Sequence, residues 1–201
     1  MKKGFQRIAC VFLAVTAVML PSCKKKDKGF EPSFGVKVFE TEEPQPIHFS
    51  IPQQWGQIAD PSGSGILVFA GEEAYQGGSF NNVSVCIYPS GCEQAPEITD
   101  VQTSFQESFE KKVKEQYAEA TGFVYEVIEV PLFQVFTAEY TIPSGDMNLK
   151  QKVYYPLAEN LQIYIAACDN GGEGISADEV AQTILHTLYL GGNGEEASSE
   201  E

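Results

Sequence analysis

FQVFTAEYTIPSGDMNLKQKVYY, residues 133–155, reads as two strands and the turn between them. Phe133 to Ile142 is rich in β-branched and aromatic residues, Pro143-Ser144-Gly145-Asp146 supplies the turn, and Met147 to Tyr155 runs back until Pro156. Proline and glycine between two such runs mark an antiparallel pair. Working outward, Phe123 to Val130 makes a strand before the pair, stopped by Pro131, and Leu161 to Cys168 makes one after it. Consecutive strands with short connections predict an antiparallel sheet, and the helices around them place the chain in the α+β class.

The first helix is predicted over Asp100 to Ala120. Val101, Phe105, Phe109, Val113 and Tyr117 recur every fourth residue and make one apolar stripe, while Glu107, Lys111, Lys114 and Glu115 take the opposite face. Thr99 or Asp100 is the expected cap, and Gly122 is suited to the left-handed conformation that follows a helix. The second helix follows the last strand. Ser176 and Glu179 have the spacing of a capping box, and Val180, Ile184, Leu185 and Leu188 supply its buried face.

Upstream, Val36 to Glu40 is a weak strand, and Ile47-His48-Phe49-Ser50-Ile51 alternates apolar and polar residues. Ile66 to Ala70 is continuously apolar, which predicts a central strand covered on both faces. Asn82 to Tyr88 alternates again and ends at Pro89. There is no internal repeat.

The N-terminus carries a different signal. Lys2, Lys3 and Arg7 precede an apolar run from Ile8 to Leu20. That run falls short of the roughly 20 apolar residues that span a bilayer and suits the core of an export signal. Leu20-Pro21-Ser22-Cys23 then reads as a lipobox, with residues 1–22 removed and Cys23 carrying lipid. Pro21 departs from the small residue commonest at its position. Lys24, Lys25, Lys26 and Lys28 would sit at the membrane surface, within residues 23–35, a tether. Residues 36–190 form the expected single domain, and 191–201 an acidic, disordered tail. This places the protein in a bacterial cell envelope, lipid-anchored on the periplasmic or surface side.

Charge agrees with an exported, soluble body. The chain has 13 basic and 28 acidic residues, a net charge of −15. Three of the basic residues lie in residues 1–22 and no acidic ones do, leaving 10 against 28, or −18. Such a balance disfavours nucleic acid, whose binding needs cations against phosphate.

Five cysteines are present. With Cys10 in the signal and Cys23 lipidated, Cys86, Cys92 and Cys168 remain for an oxidising compartment. Cys86 and Cys92 flank a short loop and give the simplest disulfide; Cys86 with Cys168 is the alternative, and three packed thiols the third arrangement. There is no Cys-x-x-Cys, and His48 and His186 are far apart, so no metal or cofactor site is expected.

No motif for nucleophilic serine, phosphate binding or zinc-assisted hydrolysis occurs, so no enzyme is expected. His48 is read as a polar-face strand residue and His186 as a structural residue on the closing helix. Asp169-Asn170-Gly171-Gly172-Glu173-Gly174 has oxygen ligands but lacks the alternating acids and terminal glutamate of a calcium loop. Tyr125, Tyr140, Tyr154, Tyr155 and Tyr164 are expected to crowd one region of the sheet, with 71–81 and 89–96 as rim loops.

The order of elements resembles the PsbP-like fold and, within it, the DcrB-like and LpqN-like bacterial lipoproteins. The likeness is carried by Phe49-Ser50-Ile51-Pro52 with Trp55, Asn82-Val83-Ser84-Val85, Phe105 and Phe109, Leu149-Lys150-Gln151-Lys152-Val153-Tyr154-Tyr155, and the last strand feeding the closing helix. It implies an antiparallel sheet flanked by helices, an α/β/α sandwich, and a non-enzymatic accessory module for an envelope protein partner. A second expectation is a carrier of a small apolar or lipid-like ligand held between sheet and helix.

Overall fold

A computed structural model describes residues 30–42, 45–59, 65–72, 81–171 and 174–191. The signal, Cys23, the lysine run, most of the 71–81 loop and residues 192–201 lie outside the described residues.

The strands are β1 (Val36–Thr41), β2 (Ile47–Pro52), β3 (Gly56–Ile58), β4 (Leu67–Ala70), β5 (Asn82–Pro89), β6 (Thr121–Val130), β7 (Phe133–Ser144), β8 (Met147–Pro156), β9 (Leu161–Asp169) and β10 (Tyr189–Leu190). The helices are α1 (Ile98–Gln116), before β6, and α2 (Ala177–Thr187), after β9. The main sheet has the order β3-β4-β5-β9-β8-β7-β6, and β1, β2 and β10 form a smaller sheet in the order β1-β2-β10. All the pairings are antiparallel. The 133–155 stretch is the long hairpin it reads as, with β7 and β8 in register from Val135 opposite Pro156 to Ser144 opposite Met147.

Alternation along the strands sends side chains to two faces. Val83 and Val85 of β5, and Ile163, Ile165 and Ala167 of β9, meet Val180, Ala181 and Ile184 of α2 and Ile47, Phe49 and Ile51 of β2 in one buried cluster. Burying an aliphatic side chain of this size contributes about 1.5–3 kcal/mol, so this cluster is the main source of stability. On the opposite face α1 lies over β6 and β7. Val101 packs near Phe136, Ala138 and Tyr155, and Val113 near Ala120, Tyr140 and Ile142. A helix on each side of an antiparallel sheet is the predicted α/β/α arrangement, with the small sheet sharing the α2 side.

Several local expectations change. The first helix begins at Ile98, just after Pro96, with Glu97 as its cap residue and no side-chain cap. Thr99 and Asp100 are already in its first turn, where the Asp100 carboxylate faces the positive end of the helix. The helix stops at Gln116 because Tyr117 leaves the helical region. Gly122, with φ of 69°, does not end the helix. It sits inside β6, where the pairing with β7 shifts between Thr121 and Val124, as at a bulge. β4 is not central; it lies next to the edge strand β3, and Leu67 and Val68 are only half-buried.

The capping box of α2 does not form. Asp169, at the end of β9, reaches the helix start instead. Its Oδ1 accepts the Ala177 N–H at 2.7 Å, and its Oδ2 accepts the Asp178 N–H at 3.2 Å and the Ser176 hydroxyl at 3.1 Å. A carboxylate there satisfies orphan amides and complements the helix dipole. Glu179 turns outward, and its Oε1 accepts the Ser33 N–H at 2.7 Å.

Packing extends past both expected domain boundaries. The Phe30 ring stacks on His186 at 4.4 Å, and Phe34 packs against the main core, so the tether residues from Phe30 onward lie along α2. At the other end Gly191 is buried and donates its N–H to the Pro46 carbonyl at 2.6 Å. A Cβ on Gly191 would lie 2.8 Å from that oxygen, so the contact requires glycine.

Candidate functional site

At the end of the domain where β6 passes into β7 there is a shallow groove of about 560 Å³. Leu132 and Phe133 come from the β6–β7 turn, Leu157 to Asn160 from the β8–β9 connection, Tyr189 and Leu190 from β10, Gln45 from the β1–β2 turn, and Ala95 from the loop after β5. Pro131 and Pro156 end their strands, which leaves these connections free to form the rim. Asn160 adopts φ of 57°, a conformation asparagine tolerates. Its N–H donates to Cys92 O at 2.7 Å, and its carbonyl accepts the Ser90 N–H at 2.8 Å. The 89–96 loop is therefore fastened to the groove as one of the two expected rims; the other, 71–81, lies largely outside the described residues.

Two apolar groups stand out into solvent here. Leu132 is 63% exposed and Tyr189 51% exposed. Tyr189 is held in place by stacking on His48 at 4.5 Å, so the strand histidine serves on the exposed face as a support for an aromatic ring. Among the described residues none that lines the groove is basic, and Glu159 lines it. The chemistry on offer is apolar contact with an acidic rim.

The five tyrosines divide between the two faces of the sheet. Tyr154 points to the α2 side, fully buried, and its hydroxyl donates to Asp178 Oδ1. Gln182 Nε2 donates to Asp178 Oδ2 at 3.0 Å, and Lys152 Nζ lies 3.8 Å from Oδ1. Burial first, and then Asp178, hold the Tyr154 phenol well above its ordinary range. The other four take the α1 side. Tyr155 and Tyr164 pack at 4.8 Å, and Tyr140 packs against Phe109 and Phe123. Burial pushes Tyr140 and Tyr164 each up to about 12. The Tyr125 hydroxyl is shielded from solvent without a well-aligned hydrogen-bond partner; burial and then the charge of Glu110 raise its pKa.

Cys86, Cys92 and Cys168 are half-buried, and none of the three is in a disulfide. Cys86 lies opposite Tyr164, and Cys168 opposite Asn82, four residues back along β5. That separation is about 13 Å along a strand, beyond the reach of a disulfide without moving backbone. The bridge across the short loop, Cys86 with Cys92, is the pairing we propose for an oxidising compartment. Burial raises the Cys168 thiol pKa, with Asp169 adding to the shift. Asp169 itself, first of the candidate calcium ligands, is engaged at the start of α2. Among the described residues no cluster of three His, Cys, Asp or Glu is placed to hold a metal. The groove's exposed Leu132 and Tyr189 carried no sequence pattern; the only signal was Pro131 before a leucine in a turn.

No protein-family model and no curated protein sequence matches the chain. Solved structures do. A protein of Bacteroides thetaiotaomicron aligns with a TM-score of 0.51 at 9% identity over 74% of this chain, which spans only 46% of that protein's length. LpqN of Mycobacterium tuberculosis, described as involved in cell envelope biogenesis, aligns at 0.48 with 9% identity, over 77% of this chain and 91% of LpqN. The cyanobacterial PsbP of Synechocystis, CyanoP, aligns at 0.54 with 17% identity, over 85% of this chain and 98% of its own. With its single antiparallel main sheet between two helices, the chain has the PsbP-like fold.

Proposed function

We propose that this is a lipid-anchored bacterial cell-envelope lipoprotein, joined to the membrane through Cys23, whose domain is a non-enzymatic accessory module for an envelope protein partner. The observation that carries the partner reading is the pair of exposed apolar side chains, Leu132 and Tyr189, on one groove. Two apolar groups gathered on one groove and rimmed by polar ones suit a contact surface. The lipobox and the basic segment after it support the anchor. A second reading, a carrier of a small apolar or lipid-like ligand, draws on the groove's volume of about 560 Å³, within the range of ligand pockets. The solvent-facing rim favours the partner.

Native mass spectrometry of the full protein, extracted in detergent from its own host, separates these readings. Acylated Cys23 with no small-molecule adduct, together with a co-migrating polypeptide, is the expected result. A persistent small-molecule adduct would transfer the groove to the carrier reading. A mature chain that retains residues 1–22, or a Cys23→Ser variant that stays on the membrane, would remove the anchor.

A further inference from the structure

The path of the chain into α2 fixes which end of the domain the anchor holds. The Phe30 ring lies parallel to His186, 3° apart, in the last turn of α2, while the Ser33 amide meets Glu179 in the first turn. Residues 30–33 therefore run antiparallel to α2, and the chain before Phe30 leaves at the C-terminal end of that helix. This is the groove end, because Leu188 and then Tyr189 and Leu190 follow α2 directly.

Cys23 and Phe30 are seven residues apart. At about 3.6 Å per residue the tether spans at most ~25 Å. The opposite end, at the β7–β8 turn, lies a ten-residue strand away, about 33 Å. On the lipid-anchor reading above, on which this inference rests, the short tether keeps the groove end nearer the bilayer.

Charge selects among the occupants available there. Glu159 lines the groove, and Glu42, Glu93 and Glu129 are exposed on the segments at the same end. Anionic lipid headgroups repel these carboxylates and, on the same reading, draw Lys24, Lys25, Lys26 and Lys28 of the tether instead, which leaves the acidic rim to a protein surface. A protein surface offering an apolar side chain among lysines or arginines complements it. We infer that the groove faces the bilayer and docks a membrane-seated protein through an apolar side chain ringed by basic residues.

Two measurements test this on the full, acylated protein. In vesicles of phosphatidylcholine with a minority of phosphatidylglycerol, a fluorescent residue at position 132 should transfer energy to a headgroup acceptor more efficiently than one at position 147, on the β7–β8 turn. Equal or reversed transfer, with acylated Cys23 confirmed by intact mass in the same sample, overturns the orientation while leaving the anchor standing. An unacylated Cys23 sinks the anchor, and the orientation falls with it. In host cells, a photo-reactive residue at 132 or 189 should cross-link to an integral membrane protein, and one at 147 should not. Glu159→Lys should lower that yield at least about fivefold without changing the melting temperature. Adducts to lipid alone, or a yield indifferent to the charge reversal, would overturn the docking proposal.

Discussion

On the side of β5 and β9 that meets α2, Val83, Val85, Ile163, Ile165 and Ala167 are at most 1% exposed. On the other side of the same two strands Ser84, Cys86, Tyr164, Ala166 and Cys168 are all half-buried. The difference comes from what covers each side. α2 lies across β9 and β5 with β2 beside it, and together they fill the surface with aliphatic and aromatic groups. α1 lies over β6 and β7, so the α1 side of β5 and β9 is finished with small residues, thiols and tyrosine hydroxyls. Along these two strands one side holds the fold together, and the other is shaped by what can tolerate partial contact with water.

The sharpest way to break this comparison is a matched pair of truncations. Ile165→Ala should cost about 2–5 kcal/mol in denaturant unfolding, because it opens a cavity that α2 cannot close. Cys86→Ala, on the other face, should cost less than about 1 kcal/mol. Equal costs would mean that the half-buried face contributes as much as the core.

The start of α2 comes next in size. Asp169→Ala should destabilise by about 1–2 kcal/mol through lost capping, and Ser176→Ala by less. The reverse order, measured by the same unfolding curves, would make Ser176 the true cap.

Much of the architecture was legible from periodicity and turn residues, because the buried half of each long strand and of α2 has to be apolar at fixed spacing. β2, β5 and the hairpin of β7 and β8 lie where alternation and proline place them. What escaped was set by distant parts of the chain. Asp169 precedes Ala177 by eight residues, outside the spacing of any local capping pattern. β3 has three residues and β10 two, too few to show a period; β10 depends on Gly191 approaching Pro46. The continuous apolar run at β4 misled because an edge neighbour shielded by aromatic contacts can be as apolar as a central strand. Phe69 of β4 packs against Phe39 and Phe49 of the small sheet. The groove was illegible because its residues come from five separate segments.

Alkaline pH tests the α1 side from another direction. Tyr140 and Tyr164 release their protons near 12 when folded and near 10 when unfolded. The folded chain then binds more protons between those values, so their contribution is full below about pH 10 and is lost as pH rises toward 12. Phenolate absorbance for these two should appear together with unfolding. Early titration at the ordinary value would show that water already reaches both hydroxyls.

The smallest effect is expected at Tyr125. Replacing Tyr125→Phe removes a shielded hydroxyl that lacks a well-aligned partner, so stability should stay level or rise by up to about 1 kcal/mol. A clear loss in thermal melting would reveal a bond to Glu110 that forms in solution.

The edge formed by β6 carries a consequence for how copies of this chain meet. Ten residues long, it is the last strand of the main sheet and has exposed valines at positions 124 and 127. A long edge of this kind is a template for pairing with a neighbouring copy. Glu126 and Glu129 place like charges along it, and the bulge at Gly122 bends its first residues out of line. The lipid anchor proposed above would concentrate copies in two dimensions, where edge-to-edge pairing would otherwise be easy. Those two carboxylates and one glycine add little to the core, yet they keep the edge from pairing with a second copy, which would matter most if the proposed anchor gathers copies on one bilayer.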